Sequence, residues 1–355
     1  MIDFRSVKYD QAYGKWQMAN RPWAITLLIF AISLLPFAMP FAVAAKPPEP
    51  PFAIPQRNGD ITDFYPGPEA SPRQVVVMIQ DLHANVGVQK NIASVLYRLL
   101  SINKMPSLLV CVEGASGEGD VSLLRSLPRF IRRGFEALLL HKAYLTGAEL
   151  AATEAAAQWE QQQSVLWDRV KSWFSSNRQI GPVSLSPIQL WGVDDPELYR
   201  KNWRAAKYVD REHNRALDEV KATRSMLSAG ASEPLKKHLD LVVKLLLLRL
   251  QPKEYQEYRK NRALNPKGSR DFEEVLKAAE TYYEAAEERS KAMVNNLTAK
   301  MGSTPGYTVL VSGGFHTQEM AEALKQRKIA FVVITPRVTV LDQDEAYRAR
   351  LREEE

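Results

Sequence analysis

Cysteine is almost missing: Cys111 is the one cysteine in 355 residues. A single thiol excludes an internal disulfide framework. Cys111 lies inside the apolar run LLVCVEG and reads as a small buried hydrophobe. A basic stripe is missing too. The net charge of +6 comes from 47 basic and 41 acidic residues spread along the chain, so nucleic-acid binding is not expected. Neither a G-x-S-x-G elbow nor an H-E-x-x-H zinc helix occurs. The glycine-rich GASGEG (residues 114–119) lacks the lysine and spacing of a phosphate loop. No internal repeat is found. Histidine is scarce, with five in all.

Charge is absent over one long stretch. Residues 23–45, WAITLLIFAISLLPFAMPFAVAA, carry none. About 20 apolar residues span a bilayer, so this run reads as an export signal or a membrane anchor. Ala42-Val43-Ala44 is a small-x-small pattern of the kind cut by signal peptidases. Pro36 and Pro40 suit a cleaved signal better than a packed span. Basic residues before the run place the rest of the chain across the membrane, exported to a periplasmic or other extracytoplasmic space. Residues 46–62 include five prolines in KPPEPPFAIPQRNGD and read as an extended linker.

The folded part is expected over residues 63–340, followed by a charged tail, 341–355. Five apolar, β-branched runs read as strands: Val75 to Gln80, Leu108 to Glu113, Ile188 to Val193, Tyr307 to Ser312 and Ala330 to Thr335. Near-continuous apolar strands suit a sheet covered on both faces. Helical periods cover Val86 to Leu100, Val121 to His141, Thr146 to Phe174 and Thr317 to Arg327. Residues 197–301 read as mostly helix, including LDLVVKLLLLRL and the long amphipathic FEEVLKAAETYYEAAEERSKAMVNNL. The expected class is α/β: a mostly parallel sheet flanked by helices, with a large helical insertion between the third and fourth of these strands.

Ligands in such sheets bind outside the carboxyl ends of the strands. Those ends carry Gln80-Asp81-Leu82-His83, Glu113-Gly114, Asp194-Asp195, Gly313-Gly314-Phe315-His316 and Thr335-Pro336-Arg337. A carboxylate directly after an apolar run is partly desolvated and needs a partner. Two chemistries fit. His83, Glu113 and His316 could ligate a divalent metal such as manganese, cobalt or zinc with an open position for water. Alternatively a histidine–carboxylate pair could deprotonate water without metal. Asp81 would orient His83 or complete a metal shell. Arg337, Gln89 and Asp194 are the candidate substrate contacts, Arg337 as an anion clamp. His141, His213 and His238 lie in helical, charged surroundings and read as surface or core residues. The helical-region tyrosines read mostly as packing, with a haem or iron ligand as the alternative.

The blocks IQDLHANVGVQKNIASVLYRLL, VCVEG and VSGGFHT resemble the superfamily containing erythromycin esterase, the ChaN haem-binding lipoproteins and the TIKI/TraB proteins. His83, Glu113 and His316 match its three site positions, and Gln89 matches a polar position in the following helix. Asp81 and Gln80 depart from its first motif, standing where glutamate and glycine would be. The resemblance implies an α/β core with helical insertions. It also implies one of three activities: a histidine-activated esterase, a metal-dependent protease or an exported haem binder. A small-molecule or peptide substrate follows from the first two, and a non-catalytic scaffold is the remaining alternative.

Overall fold

A computed structural model of the chain describes residues 49–69, 74–102, 107–157, 187–226, 232–302 and 305–340. The apolar run 23–45, the charged tail and most of the expected helix 146–174 lie outside the described residues. Seven strands form one sheet: β1 (Gly59–Tyr65), β2 (Gln74–Asp81), β3 (Leu108–Val112), β4 (Ser116–Gly119), β5 (Ile188–Val193), β6 (Gly306–Gly313) and β7 (Ala330–Pro336). Their order is β1-β7-β2-β6-β3-β5-β4. The five central strands run parallel, and each edge strand is antiparallel to its neighbour. The expected class is therefore present, and the five apolar runs are its parallel centre.

Parallel neighbours need crossovers. Helix α1 (Val86–Ile102) joins β2 to β3, and α9 (Gly314–Gln326) joins β6 to β7. Between β3 and β5 come α2 (Ser122–Ser126), α3 (Arg129–His141) and α4 (residues 147–157). The single helix expected over Val121 to His141 is broken at Pro128, which lacks the N–H a continuing helix requires. The insertion is α5 (Pro196–Met226), α6 (Glu233–Leu246), α7 (Pro252–Lys260) and α8 (Arg270–Met301). None of the described helices is long and apolar enough to cross a membrane.

The period of two along a strand divides the core. Val75, Val77 and Ile79 of β2 face a cluster with Ile92, Leu96 and Leu99 of α1 and Ala148 and Ala151 of α4. Val76 and Met78 face the other side, against Met293 and Leu297 of α8 and Met320 and Leu324 of α9. A third cluster inside the insertion packs Leu241, Val242 and Leu245 of α6 with Tyr255, Tyr258, Phe272 and Tyr283. These tyrosines are core residues, as the sequence suggested. Thus α8 serves two cores: its first half holds the insertion together and its second half lies on the sheet.

Two strands escaped the sequence reading. β1 begins at Gly59, inside the expected linker, and β4 lies within GASGEG. Both are edges, where one face and one row of backbone groups need no apolar cover.

Candidate active site

The carboxyl ends of β2, β6 and β3, three adjacent strands, build the site. In register, Asp81 of β2 lies beside Gly313 of β6. His83 follows β2 and donates from Nδ1 to Asp81 Oδ2 at 2.6 Å. Asp81 Oδ1 accepts from Gln89 Nε2 of α1 at 2.5 Å, and Gln89 Oε1 accepts the Gly147 backbone N–H at 2.6 Å. The carboxylate is thus fixed from the side opposite His83. The approach of α4 depends on glycine: a Cβ on Gly147 would sit 2.3 Å from the Gln89 carbonyl oxygen. Between His83 and α1, Ala84 adopts a left-handed φ of 64°, and Asn85 caps the helix by accepting from Val88 N at 3.0 Å.

Desolvation pulls the His83 imidazole down, but the Asp81 carboxylate, through charge and hydrogen bond, outweighs it with help from Glu113. The pKa rises to about 9. His83 is nonetheless 43% exposed, which makes it the reachable member of the group.

Glu113 follows β3 and is held from several sides. Its Oε1 accepts from Arg289 Nη2 at 2.8 Å and lies 3.2 Å from His316 Nε2; its Oε2 accepts the Gly313 N–H at 2.7 Å. Burial pushes this carboxyl up, but His316, Arg289 and His83 outweigh it and hold it well below the usual carboxylate range. His316 lies in the first turn of α9, buried, with Nδ1 2.9 Å from Ser290 Oγ of α8. A carboxylate only accepts, so His316 directs an Nε2–H at Glu113, and the Ser290 hydroxyl beside Nδ1 donates to the Ala286 carbonyl at 3.0 Å.

Arg289 is the site residue that the sequence reading missed. It is buried in α8 and donates from Nε and Nη2 to Asp194, from Nη1 to Asn202 at 2.9 Å and from Nη2 to Glu113. The Tyr199 ring lies 5.1 Å from its guanidinium carbon. Desolvation would lower the guanidinium, but Glu113 and Asp194 raise it further. Nearby, burial raises the Tyr282 phenol, with Arg289 opposing and Glu113 adding.

The expected residues thus divide. Asp81, His83, Glu113 and His316 meet at one locus. Gln89 and Asp194, expected as substrate contacts, are buried with their polar atoms engaged inside the protein. They position Asp81 and Arg289 instead. Arg337 stands elsewhere: β7 lies beside edge strand β1, and the guanidinium is 3.7 Å from Asp60. The cation at the site is Arg289, whose charge is matched by Glu113 and Asp194.

No family model matches the chain, and no curated protein matches it. A crystal structure of a Bacillus cereus protein matches at 12% identity, covering 74% of this chain and 66% of that chain, with a TM-score of 0.24. A likeness this slight carries no argument.

Two of these groups converge on Gly313. The place that a Gly313 Cβ would take lies 3.4 Å from Glu113 Oε2 and 3.6 Å from His83 Nε2. A carboxylate and an imidazole thus approach one glycine together. As a metal site the group fits poorly. Glu113 and His316 face each other rather than a common point, and among the described residues no three His, Cys, Asp or Glu side chains are grouped to hold an ion.

Proposed function

We propose that the chain is a hydrolase of ester or amide bonds, in which the Asp81–His83 pair activates water beside Glu113. The observation that carries this reading is the convergence of Glu113 Oε2 and His83 Nε2 on Gly313. A water bridging the two gives one hydrogen bond to the ionised carboxylate and presents its other proton to the neutral imidazole. His83 removes that proton as the oxygen attacks the carbonyl carbon, then returns it to the leaving alkoxide or amine. Asp81 holds the ring and stabilises the imidazolium that forms. Glu113 stays ionised and orients the water; His316 and Arg289 hold Glu113. The first backbone N–H groups of α9, opening at Gly314, suit the developing oxyanion.

The pH profile follows from His83. The reactive form is the neutral ring, and its pKa is about 9. With a chromogenic ester, kcat/KM is expected to climb through neutral pH and level off above about 9. In Asp81→Asn the neighbouring negative charge is gone, so the limb moves to lower pH while the plateau falls. A profile flat across this range in the unmodified protein would remove His83 from the base role.

Gly313→Ala tests this convergence. Gly313 has φ −57° and ψ 150°, which alanine adopts without strain. The added methyl meets Glu113 and His83 at ordinary contact distance and hinders a water bridging them. Thermal unfolding is expected to stay near that of the parent while hydrolysis falls about 10²-fold, the lower range for losing general-base catalysis. Unchanged hydrolysis would place the reacting water elsewhere.

A further inference from the structure

Helix α3 carries its large apolar groups on the wrong side for a soluble surface. Leu139 and Leu140 meet the core beneath. That inner side also holds Glu136 at 4% exposure, with Arg132 beside it. Arg132 Nε and Glu136 Oε1 stand 3.6 Å apart, each without a hydrogen-bond partner. Burial raises the Glu136 carboxyl, Glu154 adds to this, and Arg132 opposes it. The outward side presents Phe130 at 78% exposure together with Leu138, and α2 adds Leu123 at 79%. At 100° per residue, Phe130, Gly134, Ala137, Leu138 and His141 share one face of the helix.

The charges around this face are mostly of one sign, with Asp120 at the start of α2 the exposed exception. From residue 121 to 142 the chain carries Arg125, Arg129, Arg132, Arg133 and Lys142 against a single acidic residue, Glu136, which is the buried one. Exposed aromatic and leucine side chains on a short basic helix match the interface of an anionic bilayer, where the apolar groups enter the acyl boundary and the cations meet headgroups. Five cations against Asp120 and the buried Glu136 give this face the positive excess that an anionic surface attracts.

We infer that α2 and α3 form a membrane-docking surface that lays Leu123, Phe130 and Leu138 into a leaflet containing anionic lipid. The surface is independent of the proposed hydrolysis and of any span in residues 23–45. It lies along a bilayer and does not cross one.

The test uses the full chain reconstituted with vesicles, with an environment-sensitive label on Phe130→Cys. Cys111 is buried and its thiol is pushed up to about 12, so it does not compete for the label. A label on Ser225→Cys, exposed at the end of α5, is the comparison. With phosphatidylglycerol vesicles carrying brominated acyl chains, the label at 130 is expected to be quenched and that at 225 to be unaffected. Arg129→Glu and Arg133→Glu should each shift the docking equilibrium at least about five-fold toward release, at about 1 kcal/mol per basic residue near the surface. High salt should act in the same direction. Equal quenching at both positions, quenching unchanged by charge reversal, or shielding of the label that depends on protein concentration without lipid would each overturn the inference. The last outcome would indicate a second copy on this face.

Discussion

Replacing Arg289 with methionine is expected to destabilise the protein by about 3–5 kcal/mol, the range for removing one partner of a buried ion pair. The guanidinium is buried between Glu113 and Asp194 and also bonds Asn202. Methionine keeps much of the volume, so the loss is chiefly that of Asp194 left in the interior without its guanidinium and Glu113 left to the two histidines. Urea unfolding of the full chain at neutral pH measures it. The sign of the pH dependence can also be stated. Glu113 is depressed in the folded protein, so its contribution is present above the ordinary carboxylate range and is lost as pH falls through its folded value. In the variant that depression shrinks, so the deficit against the parent is largest near neutral pH and narrows in acid. A deficit below about 1 kcal/mol would mean that water already shields this cluster.

The largest effect on activity is expected at His83. His83→Ala removes the exposed base while leaving Glu113, His316 and Arg289 in place, and hydrolysis should fall about 10²–10⁴-fold. His83→Gln keeps a polar group of similar reach but cannot cycle a proton, and should fall as far. At neutral pH the lost Asp81 ion pair should also lower stability, by an amount the 43% exposure of the ring keeps modest. Its linkage runs opposite to that of Glu113. The folded pKa is raised, so stability from this group is fully present below the ordinary histidine value and is lost as pH rises through about 9. A parent and an alanine variant that hydrolyse a panel of esters and peptides at equal rates would end the proposed role.

The central sheet was legible because strands buried on both faces must be apolar throughout, and Val75 to Ile79 or Val309 to Val311 leave few other readings. Asp81, His83, Glu113 and His316 were legible for a related reason: each breaks an apolar run at the end where such sheets bind ligands. β4 was not. Ser116 to Gly119 has no pattern of its own and is a strand because β5 pairs with it, Gly117 opposite Gly192, where a Cβ on Gly192 would strike the Ala115 backbone at 2.2 Å. Arg337 was misplaced because strand order is not written in the sequence. β7 ends between β1 and β2, and the Arg337 guanidinium turns to Asp60 on the β1 side. Arg289 hid among the charges of α8, although a signal existed. It lies three residues after Ala286 and four before Met293, both buried, and so occupies the inward stripe of an otherwise charged helix.

The pairing of β2 with β6 has a consequence for the order of folding. Asp81, His83 and Gln89 are near neighbours in the chain, so their relay closes a short loop and can form early. Glu113 and the Gly313 N–H are 200 residues apart, and Glu113 and Arg289 are 176 apart. Contacts of that separation carry a high loop-closure cost and form slowly. A chain synthesised only through the insertion therefore holds the Asp81–His83 pair, Glu113 and Arg289, but lacks the Gly313 N–H and His316 that fix Glu113. On the proposed function, hydrolysis is expected only once β6 and α9 have joined the sheet.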